Sequence, residues 1–351
     1  MDKYELESPD YQNQLTELNM TLNQDSDNIA AYYSRSEFYY TQENYPAGIN
    51  DLNAILQRNP NEVMAYVLRG YGYGQLQNNQ LALADYTAAI NLYPNYAKVY
   101  YNRGTIYNQL AQYPEAIADY TAAISLDPNY LEAYYNRGLA YNHLNQYQKA
   151  IADYTQVIQL NPQDEEAYYN RANTYNKLQQ YQQAILDYNQ AILLNPQDIE
   201  AYYNRANVYH KTKMFPEAIA DYTKIISYNS HHAPTYYNRG TTYLTSQQYQ
   251  QAISDFTQAI HLNSEYAEAY YNRAIAYSKI HQYQQAISDH QNAIRLRPHY
   301  AEAYGNLGLV FQALAEKQQA VKNLQIAAEL FKQQKNQTLY QYVLQKIEEL
   351  K

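Results

Sequence analysis

Through residues 131–164 the small and apolar side chains fall twice into the i, i+3, i+4, i+7 spacing of an amphipathic helix. Tyr134, Gly138 and Tyr141, with Arg137 among them, mark one stripe; Ala150, Ile151, Tyr154 and Ile158 mark the next. The pattern predicts a pair of helices, and it recurs every 34 residues. Tyr-Tyr-Asn-Arg begins at Tyr100, Tyr134, Tyr168, Tyr202, Tyr236 and Tyr270, and degenerate copies at Tyr32, Tyr66 and Tyr304 keep the same phase. A fixed period of this size marks a stacked array in which each unit buries its apolar face against its neighbours. With Ile29 as position 1, nine units run over 29–334. Residues 1–28 precede them as a segment with a half-repeat capping helix, and residues 335–351 follow as a solvating helix.

Proline falls at two phases. Pro46, Pro114 and Pro216 stand at position 18, and Pro60, Pro94, Pro128, Pro162, Pro196 and Pro298 at position 32. Proline suits the first turn of a helix and the chain just beyond a helix end, so these phases mark the start of the second helix and the turn to the next unit. Small residues recur where helices must approach closely. Position 8 is Gly, Ala or Ser throughout, and position 20 is Ala in every unit but the first, which has Gly48.

An aromatic at position 4, a small residue at 8, Tyr at 11, Ala at 20, an aromatic at 24, Ala at 27 and Pro at 32 together resemble the tetratricopeptide repeat. The chain departs from that pattern with Tyr for the frequent Trp at position 4, Arg for Leu at position 7, and Leu52, Leu324 and His290 at position 24. The resemblance implies an all-α fold, a right-handed superhelical α-solenoid of antiparallel helix pairs whose first helices line a concave groove.

Composition narrows the function. A formal charge of −9 argues against binding nucleic-acid phosphates or anchoring on an anionic membrane. Cysteine is absent, which removes disulfides, thiolate catalysis and thiolate metal ligation. The start, MDKYELESPD, lacks a basic stretch followed by an apolar one, so a cytoplasmic protein without membrane insertion is expected. Tyr supplies 47 residues and Trp none, so much of the apolar area is phenol rings whose hydroxyls need partners.

Two constellations repeat. Position 7 is Arg and position 23 Asp in the first eight units, and both change together in the ninth, to Leu307 and Asn323. Joint loss points to ion pairs bridging the helices of a unit or adjacent units, a structural device without catalytic meaning. Position 6 carries Asn102, Asn136, Asn170, Asn204, Asn238, Asn272 and Asn306, and position 5 carries Tyr101, Tyr135, Tyr169, Tyr203, Tyr237 and Tyr271. By the family's geometry both phases face the groove. An amide ladder suits holding a partner's backbone, with the tyrosines either contacting that partner or packing between repeats.

The carboxylate clamp by which some family members hold heat-shock protein C-termini needs Lys at positions 5 and 2. Here position 5 has none, and position 2 is mostly Glu: Glu132, Glu166, Glu200, Glu268 and Glu302. The clamp is therefore not expected. The eight histidines scatter over different phases without metal-ligand spacing; His290, in an aromatic core phase, is expected as a packed, hydrogen-bonded ring. Gly70-Tyr-Gly-Tyr-Gly74 lacks the Lys-Ser/Thr of a phosphate loop and reads as part of a helix. The sequence thus predicts a non-enzymatic scaffold with no cofactor and no metal, binding a protein or peptide in its groove. Two alternatives stand beside it: a recruiting or regulatory subunit of an enzyme on another chain, and a self-associating array that forms a homo-oligomer.

Overall fold

The computed structural model describes residues 9–350, with side chains from residue 13 onward. Residues 1–8 and Lys351, which belong to the two expected terminal segments, lie outside the described residues, as does the Tyr11 side chain. Every described element is an α-helix. After a first helix, Pro9–Gln24, helices alternate in register with the 34-residue period. In each unit a helix A of 13 residues starts at position 1, as in Leu131–His143, and a helix B starts at position 17, as in Tyr147–Leu160. The last helix B is longer, Lys317–Gln333, and Gln337–Glu348 closes the chain. None of the described helices is long and apolar enough to cross a membrane.

Two compact units divide the chain, residues 1–178 and 179–351. The first holds the N-terminal helix, repeats one to four and helix A of repeat five. The second holds helix B of repeat five, repeats six to nine and the C-terminal helix. Each is a stack of antiparallel helix pairs.

The turn inside each repeat is fixed by one residue in the left-handed region, at position 15: Glu43, Gln77, Ala111, Asn145, Gln179, Lys213, Gln247, His281 and Ala315, with φ between 56° and 63°. In repeat four the following amide, Gln146 N, donates to Tyr141 O at 2.9 Å, while Asn145 N donates to Asn142 O at 3.1 Å. These bonds satisfy the last carbonyls of helix A and stop it. Asn161 ends the repeat differently: its Oδ1 accepts from Gln163 N at 3.2 Å around Pro162, and the Asp164 carboxylate caps the next helix through Ala167 N at 2.8 Å.

Within a repeat the core is position 8 against position 24. Tyr154 is fully buried, and a Cβ added to Gly138 would stand 2.9 Å from its ring, so the aromatic side chain and the small residue require each other. Gly240 and Phe256 repeat the arrangement at 2.9 Å.

Between repeats the stack is tied by arginine. Arg137 Nε donates to Asp153 Oδ2 at 2.8 Å and Nη2 to Oδ1 at 2.7 Å. Its remaining Nη1 donates to Thr121 Oγ1 of the previous repeat at 3.0 Å, and its guanidinium lies 5.5 Å from the Tyr134 ring and 5.9 Å from the Tyr141 ring. Arg35, Arg69, Arg103, Arg205, Arg239 and Arg273 make the same fork with their aspartates. One side chain therefore bridges its own helix B and the preceding one. In repeat one the third contact goes to Asn19 Oδ1 of the N-terminal helix at 2.6 Å, so that helix stands where a helix B would, with Leu22 buried beneath it. In repeat nine, Leu307 is buried beside Phe311 and Asn323 turns to Gln319 O at 2.9 Å.

At the far end Val343 and Ile347 of the C-terminal helix are buried on Leu324, Phe331 and Leu330, with Tyr340, Leu344 and Leu350 packed alongside.

Candidate functional site

The Tyr and Asn phases sit side by side on helix A, and stacking determines what each one meets. The position 5 ring packs on the position 24 ring of its own repeat: Tyr135 on Tyr154 at 6.0 Å between centroids, Tyr101 on Tyr120 at 5.9 Å, Tyr203 on Tyr222 at 6.2 Å. Where position 34 is aromatic it closes the group, as Tyr130 does on Tyr101 at 5.0 Å and Tyr266 on Tyr237 at 4.8 Å. The hydroxyl thus reaches the next repeat, where it accepts from the amide of position 6. Asn136 Nδ2 donates to Tyr101 Oη at 3.0 Å, Asn170 to Tyr135 at 2.9 Å, Asn238 to Tyr203 at 2.7 Å, Asn272 to Tyr237 at 3.0 Å and Asn306 to Tyr271 at 2.9 Å. Asn102 has no counterpart, because position 5 of the preceding repeat is Val67. Tyr169 and Asn204 occupy the same phases.

One amide N–H of each of these five asparagines is therefore committed to the array; Asn170 Nδ2 also donates to Glu166 O at 3.0 Å and Asn238 Nδ2 to Asn207 Oδ1 at 3.5 Å, which leaves Asn136, Asn272 and Asn306 with both Oδ1 and a second N–H for other work. Tyr135 in turn donates to Glu166 Oε2 at 2.9 Å. Burial raises the phenols of Tyr101, Tyr135, Tyr203 and Tyr237 above their ordinary value, and pushes Tyr271 to about 12. They stay neutral hydroxyls at physiological pH.

The sequence motifs do not single out the further polar groups along helix A. Asn142 donates to both Tyr154 Oη, at 3.0 Å, and Thr174 Oγ1, at 2.9 Å, and His210 Nδ1 lies 3.0 Å from Thr242 Oγ1. Asn142, Asn170, Asn173 and Asn176 surround a hollow of about 330 Å³ in repeats four and five. The signal for them lies in positions 10 and 12, whose polar groups meet across successive repeats, as Asn142 and Thr174 do.

His290 requires a correction. It is packed, fully buried against the Tyr271 ring at 5.8 Å, but neither ring nitrogen has a hydrogen-bond partner among the described residues. The imidazole is shorter than the phenol that fills this phase in repeats two to six, and Ser278, at the phase of Asn142, turns its hydroxyl to Ala274 O at 2.9 Å. Burial lowers its pKa to about 3, so the ring is neutral. A hollow of about 260 Å³ lies over it.

The tetratricopeptide repeat model matches residues 97–130, 131–164, 199–232, 233–266 and 267–300. Further tetratricopeptide models match 33–97, 153–185 and 172–213, so the matched stretch runs unbroken from residue 33 to residue 300. No curated protein matches the sequence. Among solved structures, a tetratricopeptide repeat protein from Parabacteroides merdae is 23% identical, with a TM-score of 0.50 over 71% of this chain and 98% of that one. YrrB, described as a TPR protein with an unusual peptide-binding site, is 20% identical over 52% of this chain and 95% of its own, with a TM-score of 0.48. Yeast Tom70 is 13% identical over 97% and 92%, with a TM-score of 0.44. The likeness to these structures is one of fold, whereas the repeat matches cover most of the sequence itself: the chain belongs to the tetratricopeptide repeat family.

Proposed function

We propose that this chain is a non-catalytic interaction scaffold that holds a segment of a partner protein along its helix A face. The observation that carries the reading is the repeated bond from the position 6 amide to the tyrosine hydroxyl one repeat earlier. It holds each amide in place before binding and leaves its Oδ1, and in Asn136, Asn272 and Asn306 also one N–H, to pair with a peptide group. Spaced one per repeat, such amides grip a backbone without reading its side chains.

The test is selection of a phage-displayed random dodecapeptide library on the immobilised full chain, followed by titration of the enriched peptides. Replacing Asn136, Asn170 and Asn238 together by Ala should weaken all of them, by about 0.5–1.5 kcal/mol for each lost hydrogen bond, with helicity unchanged. Undiminished affinity in that variant removes the reading.

A further inference from the structure

Repeats three, six, seven and eight fill one corner of the helix A face with three rings, from positions 5, 24 and 34. In repeat nine all three are missing: the residues there are Gly305, Leu324 and Gln334. A cavity of about 140 Å³ takes their place between helix A of repeat nine, the last helix B and the C-terminal helix. Its walls are apolar, from Leu309, Leu324, Phe331, Leu339 and Val343, and Asn306 and Glu302 stand at its mouth. Gly305 opens it, since a Cβ there would meet only the Ala327 methyl at 3.8 Å. The volume is close to that at which an apolar protein cavity accepts a benzene-sized guest.

The hollow over His290 adjoins this cavity and shares Asn306 and Leu309 with it. The His290 imidazole lies beneath it, fully buried, and Lys279 lines the hollow itself. Charge separates the two lobes. Glu302 has no bonded cation among the described residues, because the neighbouring guanidinium of Arg297 is taken by Glu268 and stacked 4.8 Å over Tyr300. Lys279 carries the opposite charge at the second lobe.

We propose that this end of the helix A face reads side chains: it takes one aliphatic or thioether side chain of a partner segment in the Gly305 cavity, with a basic residue of that segment on Glu302 and an acidic one on Lys279. The site rests on the groove reading above and adds specificity to it. The regular repeats bind backbone, and this lobe selects which segment is bound.

The same dodecapeptide selection tests it. Enriched sequences should share a Leu, Ile or Met between a basic and an acidic residue. For a fluorescent synthetic copy, Gly305→Tyr, which restores the ring of the regular repeats, should lower affinity about tenfold or more, the scale of losing a buried apolar anchor. Gly305→Ala, which leaves the cavity open, should bind like the parent. Glu302→Lys and Lys279→Glu should each reverse the charge preference on their own side of the anchor. Absence of a shared motif, or equal affinity in Gly305→Tyr and Gly305→Ala, overturns the anchor. If the Asn136/Asn170/Asn238 variant loses binding while Gly305→Tyr does not, the anchor falls and the groove stands; the reverse pattern retires the ladder.

Discussion

Repeats four and five carry a hollow on helix A lined by Asn142, Asn170, Asn173 and Asn176. Repeats eight and nine carry one at the same phases lined by Ile275, Leu309 and Val310 over an unpartnered imidazole. The helices that frame them have the same lengths and the same turns. The difference lies wholly in side chains. In the first, the phenol of Tyr154 finds Asn142, and Asn142 finds Thr174, so the polar end of the ring is satisfied inside the array. In the second, Ser278 and Val310 stand at the phases of Asn142 and Thr174, Ser278 turns its hydroxyl to its own helix, and the ring nitrogens of His290 have no partner among the described residues. A uniform backbone lattice can thus hold a buried ring whose polar atoms are satisfied and one whose polar atoms are not, without changing its geometry.

The arginine network offers the strongest challenge to this contrast. In repeat four Arg137→Leu or Asp153→Asn alone strands a largely buried charge and should cost about 3–5 kcal/mol in a denaturant melt. The double change reproduces Leu307 and Asn323 of repeat nine and should recover part of that, with a coupling energy of about 1 kcal/mol or more. Strictly additive losses would mean that the fork between Arg137 and Asp153 does not hold repeat four together, and that repeat nine is no guide to it.

A smaller effect is expected at His290. Burial lowers its folded pKa to about 3 from the ordinary value of 6.5, so the unfolded chain binds the proton first as the pH drops. Stability is full above 6.5 and falls as the pH is lowered from there toward 3. Between pH 7 and pH 5 the wild type should lose about 2 kcal/mol relative to His290→Phe, which cannot titrate. Parallel pH profiles for the two proteins would show that the ring is solvated or already paired, and the contrast with Tyr154 would disappear.

The smallest effect concerns the turns that all repeats share. Ala111 and Asn145 hold the same left-handed position, at φ 56° and 57°. Asn tolerates it and Ala does not, so Ala111→Gly should raise stability by about 0.5–1 kcal/mol while Asn145→Gly gains less. A calorimetric melting temperature unchanged by Ala111→Gly would indicate strain relieved elsewhere in that turn.

Much of this is legible in the order of residues. The joint change of Arg and Asp in repeat nine announces the ion pair, and a third phase changes with them: position 25, Asn or Thr in the first seven repeats, becomes Gln291 in repeat eight, directly before the repeat that lacks the arginine. That phase supplies the Nη1 contact, as at Thr121 and Asn53, and its timing marks an arginine that spans two repeats. The Asn and Tyr phases are visible too, but their bond is not. Tyr135 and Asn136 are neighbours in sequence and point apart on the helix, so each finds its partner 35 residues away.

Spacing along the chain is enough to set the period, the helix pair, the caps and the ion pairs, because each depends on positions within one helix or on a phase repeated many times. Stacking alone decides the rest. Whether an amide is free or spent depends on what the previous repeat sets against it, as Asn102 opposite Val67 and Asn136 opposite Tyr101 show. Whether a missing ring leaves a cavity depends on how far the next helix closes in, and at Gly305 the C-terminal helix stays far enough away to leave one open. Both are properties of contacts between segments distant in the chain, which no local pattern encodes.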